Sequence, residues 1–183
     1  VPVEVIRVEP SKHSVGVVID GATRECDAVV IAAGSWSGRV RIAGLPPIPV
    51  RPIRGQLLHL TWPDRMPMPQ QFVWAEHCYV VPWSDRTVLV GATVEDVSFD
   101  EGSTVEGVHG LMQAVGDILP GAWKAALKEV RVGLRPAPDG QVPFIGRSAN
   151  SPRVILATGH FRNGVMLAPL TAARVAAAVT QNL

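Results

Sequence analysis

Cysteine is scarce in this chain of 183 residues: Cys26 and Cys78 are the only two, far apart and with no CxxC partner. That excludes a disulfide-framed scaffold. The expected state is two free thiols in a reducing cytosol, with a Cys26–Cys78 disulfide as the alternative. The five histidines show no HExxH or comparable ligand spacing, so no protein metal site is expected. Long apolar runs are also missing. AVVIAAG at 28–34 is about as long as they become, far short of the roughly 20 residues a helical membrane span needs. Nor is there an excess of one charge: the formal net charge is +1 and the basic residues are scattered, which argues against nucleic acid or an anionic membrane as partner. No secretory signal is expected, because Glu4 and Arg7 interrupt the N-terminus early. An initial Met is lacking too, and VPVEVIRVEP reads as strand from its first residue, so the chain is expected to be cut from a longer protein.

What is present is a core. Apolar residues make up 47% of the chain and charged residues 18%, enough for one ordered domain or one and a half. Residues 1–8 and 15–19 are β-branched runs that predict a hairpin, with Asp20-Gly21 as the next turn. Residues 28–32 form a continuous apolar run, the pattern of a strand buried on both faces of a parallel sheet. It ends in Ala33-Gly34, where a missing side chain allows close backbone approach. Pro46, Pro47 and Pro49 predict a stiff crossing between subdomains.

Residues 51–94 predict antiparallel strands at 55–61, 71–82 and 87–93, with a tight turn at Ser84-Asp85. Apolar residues at 105, 108, 111, 112, 115, 118 and 119 predict a helix over 104–119, with Ser103 or Thr104 as N-cap and Pro120 as stop. Residues 123–128 read as a second short helix and 129–135 as a strand. A strand at 154–157, a glycine-bearing loop and a helix over about 164–181 complete the chain. Strand, glycine loop and helix is the local order that sets a helix N-terminus against an anionic ligand. Pro169 is expected near the helix start, where a missing N–H costs least.

Three clusters could carry chemistry. AVVIAAGSWSG at 28–38 is a strand running into a glycine turn, and by itself a core strand explains it. Tyr79, the only tyrosine, lies in HCYVVP on an apolar strand, where half-buried packing is the ordinary explanation. Arg135 in GLRPAPDG and Arg162 in GHFRNG are each framed by Gly, Pro or Asn, at the ends of elements facing loops. A guanidinium fork suits bidentate capture of a carboxylate, although a surface arginine often has no such role.

The series AAGSWSG, RPIRGQ, HCYVVP, VGATVE, GLRPAPDG, PFIGR and GHFRNGVMLAP, in that order, resembles the second half of the FAD-dependent amino-acid oxidases of the glycine oxidase and D-amino-acid oxidase type. The resemblance covers nearly the whole chain and is most specific in GLRP followed by GHFRNG-xxLAP. It implies an α+β fold: an antiparallel substrate-domain sheet with flanking helices, plus the C-terminal remnant of a Rossmann-like FAD-binding domain. The boundaries it implies are a partial FAD-binding domain over 1–45, a substrate-binding sheet domain over 46–138 and a return to the FAD-binding domain over 139–183.

For the site, the resemblance implies Val3 near the adenine and Gly34 and Trp36 near the cofactor. His160, Phe161, Arg162, Asn163, Gly164 and Val165 would lie beside the flavin ring, with the following helix aimed at its N1–C2=O edge. Arg135 matches the arginine that clamps the substrate carboxylate, Tyr79 the tyrosine that shares it, and Arg162 lies close to both. The activity implied is oxidative deamination of glycine, sarcosine or a D-amino acid to the keto acid, with dioxygen reduced to hydrogen peroxide. Such a reaction relies on positioning more than on acid–base groups. A cytoplasmic enzyme linked to thiamine biosynthesis, free to form a homo-oligomer, is the accompanying expectation.

Two departures qualify it. The GxGxxG fingerprint and the acidic residue that holds the ribose do not occur in these residues, so FAD is expected in the full-length protein and not in this chain alone. Trp83 stands where the family often has a basic residue. A flavin-free binding or scaffold module that complements a separate FAD chain, or a quinone-linked D-amino-acid dehydrogenase, are the alternatives.

Overall fold

In the computed structural model, which describes residues 4–180, the chain forms two compact units. One comprises residues 1–52 and 135–183, the other residues 53–134.

In the first unit, β1 (Val5–Pro10) and β2 (Val15–Ile19) pair as the expected antiparallel hairpin. Asp20 and Gly21, both with positive φ, turn the chain into β3 (Ala22–Cys26). The short β4 (Val29–Ile31) leads to a 3-10 turn over Gly34–Arg39, and β5 (Arg41–Ile42) then adds in parallel to β1, giving the order β3-β2-β1-β5. β4 belongs to another sheet. It lies parallel to β12 (Ser151–Thr158), which also pairs antiparallel with β11 (Phe144–Ser148). Val8, Val15, Ile31, Ile42, Ile48, Val50 and Val154 form the core of this unit.

The expectation that 28–32 is buried on both faces is corrected in part. β4 is parallel, but it is an edge strand and Val30 is 39% exposed. An apolar run specifies burial only where a neighbour covers each face.

The sheet of the second unit has the order β10-β6-β9-β8-β7, built from β6 (Val50–Thr61), β7 (Val73–Trp74), β8 (Tyr79–Pro82), β9 (Thr87–Gly91) and β10 (Ala126–Pro138), with residues 50–52 of β6 and 135–138 of β10 counted in the first unit. Each neighbouring pair among them, β6–β9, β9–β8 and β8–β7, is antiparallel. Residues 71–82, read as one strand, are two. Ala75 N–H donates to the Cys78 carbonyl (2.9 Å) and closes a turn between β7 and β8.

The helix α1 (Val105–Ile118) follows its apolar period, and the Thr104 hydroxyl caps it by accepting from Gly107 N–H. Leu111 and Val115 pack on Leu58, Leu60, Val80, Val88 and Val90. The helix read at 123–128 is absent: a 3-10 turn over Pro120–Lys124 gives way to β10 at Ala126. Val130, Val132 and Leu134 repeat every second residue, and their period-two pattern carries the preceding residues into the strand.

The C-terminal helix α2 (Gly164–Thr180) is as expected, but Pro169 lies inside it and denies one carbonyl its intrahelical partner. Both cysteines are free thiols. No helix among the described residues is long and apolar enough to cross a membrane.

A polar network sits inside the second unit. Arg54, 3% exposed, reaches Glu95 and Asp100, the latter at 2.6 Å, and donates to the Gly102 carbonyl at 2.8 Å. Gln56, fully buried, donates to Glu95 Oε1 (2.8 Å) and Thr104 Oγ1 (2.9 Å), and its own oxygen accepts from Thr104 N–H (2.9 Å). Burial acts to raise the Glu95 carboxyl, but hydrogen bonds from Thr93, Arg54 and Gln56 and the Arg54 charge outweigh it and hold it below the usual value. Asp100 is held low by the Gly102 N–H and, against desolvation, by Arg54.

Carboxyls depressed in the folded state stabilise it above their unfolded values, and that stability is lost as pH falls through the folded values. The urea midpoint should therefore drop on acidification below about pH 5, and Glu95→Gln should flatten much of that slope. An equal acid slope in the variant would show that the stabilising charge lies elsewhere.

Candidate functional site

Two strand ends build the first part of the site. Parallel pairing of Val29, Val30 and Ile31 with Val154, Ile155 and Leu156 delivers the chain after β4 and the chain after β12 to the same edge. There Thr158, 1% exposed, donates to the Gly34 carbonyl (3.1 Å) and shares a 2.7 Å hydrogen bond with the fully buried Ser37 hydroxyl. Gly34 has φ +53°, and nothing lies within 4 Å of where a Cβ would stand. Trp36, on the same 3-10 turn, is exposed.

The loop after β12 is set by Gly159 (φ +78°) and by Phe161 (φ 49°), whose N–H donates to the Pro136 carbonyl at 2.9 Å. Arg135 at the end of β10 is thus one residue from the strand carbonyl that anchors the GHFRNG loop. A side chain at Gly159 would meet Phe144 and Pro138 at 3.2 and 3.4 Å. His160 Nε2 lies 2.9 Å from the Thr171 hydroxyl, and burial pushes its pKa down, favouring the neutral ring. The Arg162 guanidinium is 5.2 Å from the Phe161 ring centroid.

Asn163 supplies the carbonyl that accepts from Leu167 N–H and opens α2. The N–H groups of Gly164, Val165 and Met166 have no acceptor inside the helix, and no acidic residue occupies its first turn. Val165 and Met166 are 91% and 81% exposed.

Tyr79 is in the other unit, at the start of β8, opposite Trp74 on β7 and Gly91 on β9. Gly91 is required there: an added Cβ would overlap the Tyr79 ring and hydroxyl, so the ring lies flat across the strand. Phe72 and Trp74 have their ring centroids 6.3 and 5.9 Å from that of Tyr79.

Of the residues expected to form a site, Gly34, Trp36, His160, Phe161, Arg162, Asn163, Gly164, Val165 and Arg135 therefore belong to one unit. Tyr79 belongs to the other, and Val3 lies outside the described residues. Sequence reasoning quoted RPIRGQ and VGATVE as motifs but assigned nothing to Arg54, Gln56 or Glu95. The available signal was a charged and an amide side chain inside an otherwise buried strand. The second unit also has a cavity of about 540 Å³ between α1 and residues 93–95, lined in part by His77, Glu95, Glu106 and His109.

A family model described as FAD dependent oxidoreductase matches residues 1–178. Over 179 residues the chain is 32% identical to a glycine oxidase from Bacillus licheniformis, covering 97% of this chain and 48% of that protein. It is 37% identical over 164 residues to the bifunctional protein ThiO/ThiG of Nostoc sp., covering 88% of this chain and 24% of that one. Among solved structures, a glycine oxidase from Geobacillus kaustophilus superposes with a TM-score of 0.90 at 31% identity, over 99% of this chain and 49% of that chain. The chain thus spans about half the length of the glycine oxidases it matches and about a quarter of the bifunctional protein.

Proposed function

This chain belongs to the FAD-dependent oxidoreductase family, and on that premise we propose that it is the C-terminal, substrate-binding part of an amino-acid oxidase acting on glycine or another small amino acid. Residues 1–45 and 139–183 are then parts of the Rossmann-like FAD-binding domain, and 46–138 is the substrate-binding sheet domain. The observation that carries this reading is the edge where Thr158 ties the Gly34 turn to the strand leading into α2. A turn with open space at its glycine and a helix start free of carboxylates fit an anion-tolerant cofactor edge.

FAD would be held by Val3, Gly34, Trp36 and residues 160–165. When bound, it supplies the two-electron acceptor that dioxygen reoxidises. The chain's own residues do the positioning. The first-turn N–H groups of α2 stabilise negative charge at the cofactor edge. The Arg135 fork binds the substrate carboxylate, Tyr79 supplies a neutral hydroxyl donor to it, and Arg162 adds positive charge. His160, neutral and hydrogen-bonded to Thr171, holds the loop without adding charge.

The test is a peroxide assay with glycine, sarcosine and D-alanine. Full-length protein should carry a stoichiometric flavin band and release peroxide. The 183-residue chain should be colourless, and adding the remaining segment should restore both signals. A stoichiometric flavin band in the chain alone would contradict the division of cofactor binding, and a full-length protein inert toward all three amino acids would contradict the substrate class. Dye reduction without peroxide would assign a quinone-linked dehydrogenase.

A further inference from the structure

The helix α1 has a face that does not enter the core. Leu111 and Val115 pack into the second unit, while Glu106, Gly110, Gln113 and Asp117 recur at intervals of four, three and four residues. That spacing sets them in one stripe, about 16 Å long at 1.5 Å per residue. The stripe forms one wall of the cavity of about 540 Å³, and Val94, 50% exposed, stands on the other. Three glycines interrupt α1, and glycine in a helix interior destabilises it. Two have a reason inside the unit: a Cβ at Gly107 would overlap the Gln56 amide, and one at Gly116 the Trp123 ring. Gly110 has no such reason. Among the described residues no atom beyond its own helical turn lies within 4 Å of where its Cβ would stand, so its missing side chain only widens the groove. The groove is also one-sided in charge. From Thr87 to Trp123 the sequence carries Glu95, Asp96, Asp100, Glu101, Glu106 and Asp117 but no lysine or arginine. Arg54 on β6 answers Glu95 and Asp100. Among the described residues no base pairs with Glu106 or Asp117, and Asp117 accepts only from Gln113 (2.8 Å). Asp117 stands in the last turn of α1, where the helix dipole disfavours a carboxylate and no basic residue offsets it.

We propose that the groove between α1 and residues 93–95 is a docking site for a basic amphipathic helix of a partner protein. Charge complementarity names the occupant. Glu106 and Asp117, at the two ends of the stripe, attract lysines or arginines along the flanks of such a helix. Gly110 and Ala114 between them let its backbone come close, and Val94 gives its apolar residues a wall to pack on. A helix of about three turns matches the stripe in length. Nucleic acid and anionic membrane surfaces are repelled by the same carboxylates. Docking there requires neither flavin nor substrate.

The experiment uses full-length protein and fluorescence anisotropy. The probe is a labelled leucine–lysine peptide of about 14 residues with its leucines at helical spacing, beside a scrambled peptide of the same composition. The helical peptide should bind with a Kd of about 10 μM at low salt, and the scrambled one about tenfold more weakly. Gly110→Leu fills the groove while favouring the helix, and should weaken the helical peptide about tenfold. Glu106→Lys combined with Asp117→Lys should weaken it to a similar extent and flatten its dependence on salt. Glu25→Lys combined with Asp27→Lys, a matched charge reversal in the first unit, should change it less than about twofold. No binding by wild type, or equal binding of the two peptides, would overturn the proposal. So would wild-type affinity in both groove variants, or an equal loss in the Glu25 and Asp27 variant, which would reduce the effect to general charge attraction. Self-association that Gly110→Leu abolishes, seen by sedimentation with no peptide bound, would assign the face to a second copy instead. These readouts need no turnover, so they are separate from whether the protein oxidises an amino acid.

Discussion

In full-length enzyme, Arg135→Ala should raise KM for glycine, sarcosine and D-alanine by about thirtyfold to nearly a thousandfold, equivalent to about 2–4 kcal/mol. That is the usual cost of removing one partner of a desolvated, bidentate charge pair. The carboxylate of the substrate is common to all three, so all three should suffer alike. Arg135→Lys should recover only part of the loss, because an ammonium point charge cannot reproduce the planar fork. Tyr79→Phe removes a single neutral donor and should cost about 1 kcal/mol. The ordering is the informative result. If Arg135→Ala left every substrate unaffected while Tyr79→Phe abolished turnover, the carboxylate would be held somewhere other than at Arg135.

The largest effect on stability should come from Gln56→Ala, at about 3 kcal/mol. Gln56 is fully buried, and its amide joins Glu95 to the N-cap of α1. Truncation removes the acceptor of the half-buried Thr104 N–H and a donor to the half-buried Glu95 carboxylate, and leaves a cavity where the Gln56 side chain stood. Gly107, where an added Cβ would overlap the Gln56 amide, shows how closely the helix is seated on that side chain. Urea unfolding of the chain should show a lower midpoint with an unchanged m value, since the area exposed on unfolding hardly changes. A midpoint within experimental error of wild type would mean that Thr104 and Glu95 find other partners without Gln56.

Elements with a local period were legible. The apolar positions of α1, the Thr104 cap and the Pro120 stop lie within one stretch of chain, and helix and cap form there. Hairpin β1–β2 and the Asp20-Gly21 turn likewise depend on neighbouring residues. Residues 71–82 were less legible, because the β7–β8 turn has no glycine or proline and is closed by an Ala75–Cys78 backbone bond. The short β11 carries Gly146 at φ +123°, and little but its pairing with β12 marks it as a strand.

The candidate site divides in the same way. The glycine-framed loops and the helix after Asn163 could be placed from sequence, because positive φ at glycine and helix periodicity are local properties. The exchange between Thr158 and Ser37 joins residues 121 apart in the chain, and the Gln56 bonds to Glu95 and Thr104 span 39 and 48 residues. No periodicity encodes such partners. They are selected when buried polar groups must pair with one another or lose their hydrogen bonds to water. By itself the sequence determined the local elements, the glycine turns and the motif series that marks the family. Only the tertiary structure decided that Gly91 stands beneath Tyr79, that Trp74 and Phe72 flank it, that Gln56 braces the N-cap of α1, and that Arg54 binds Glu95 and Asp100, because strand register and burial choose neighbours that are remote along the chain.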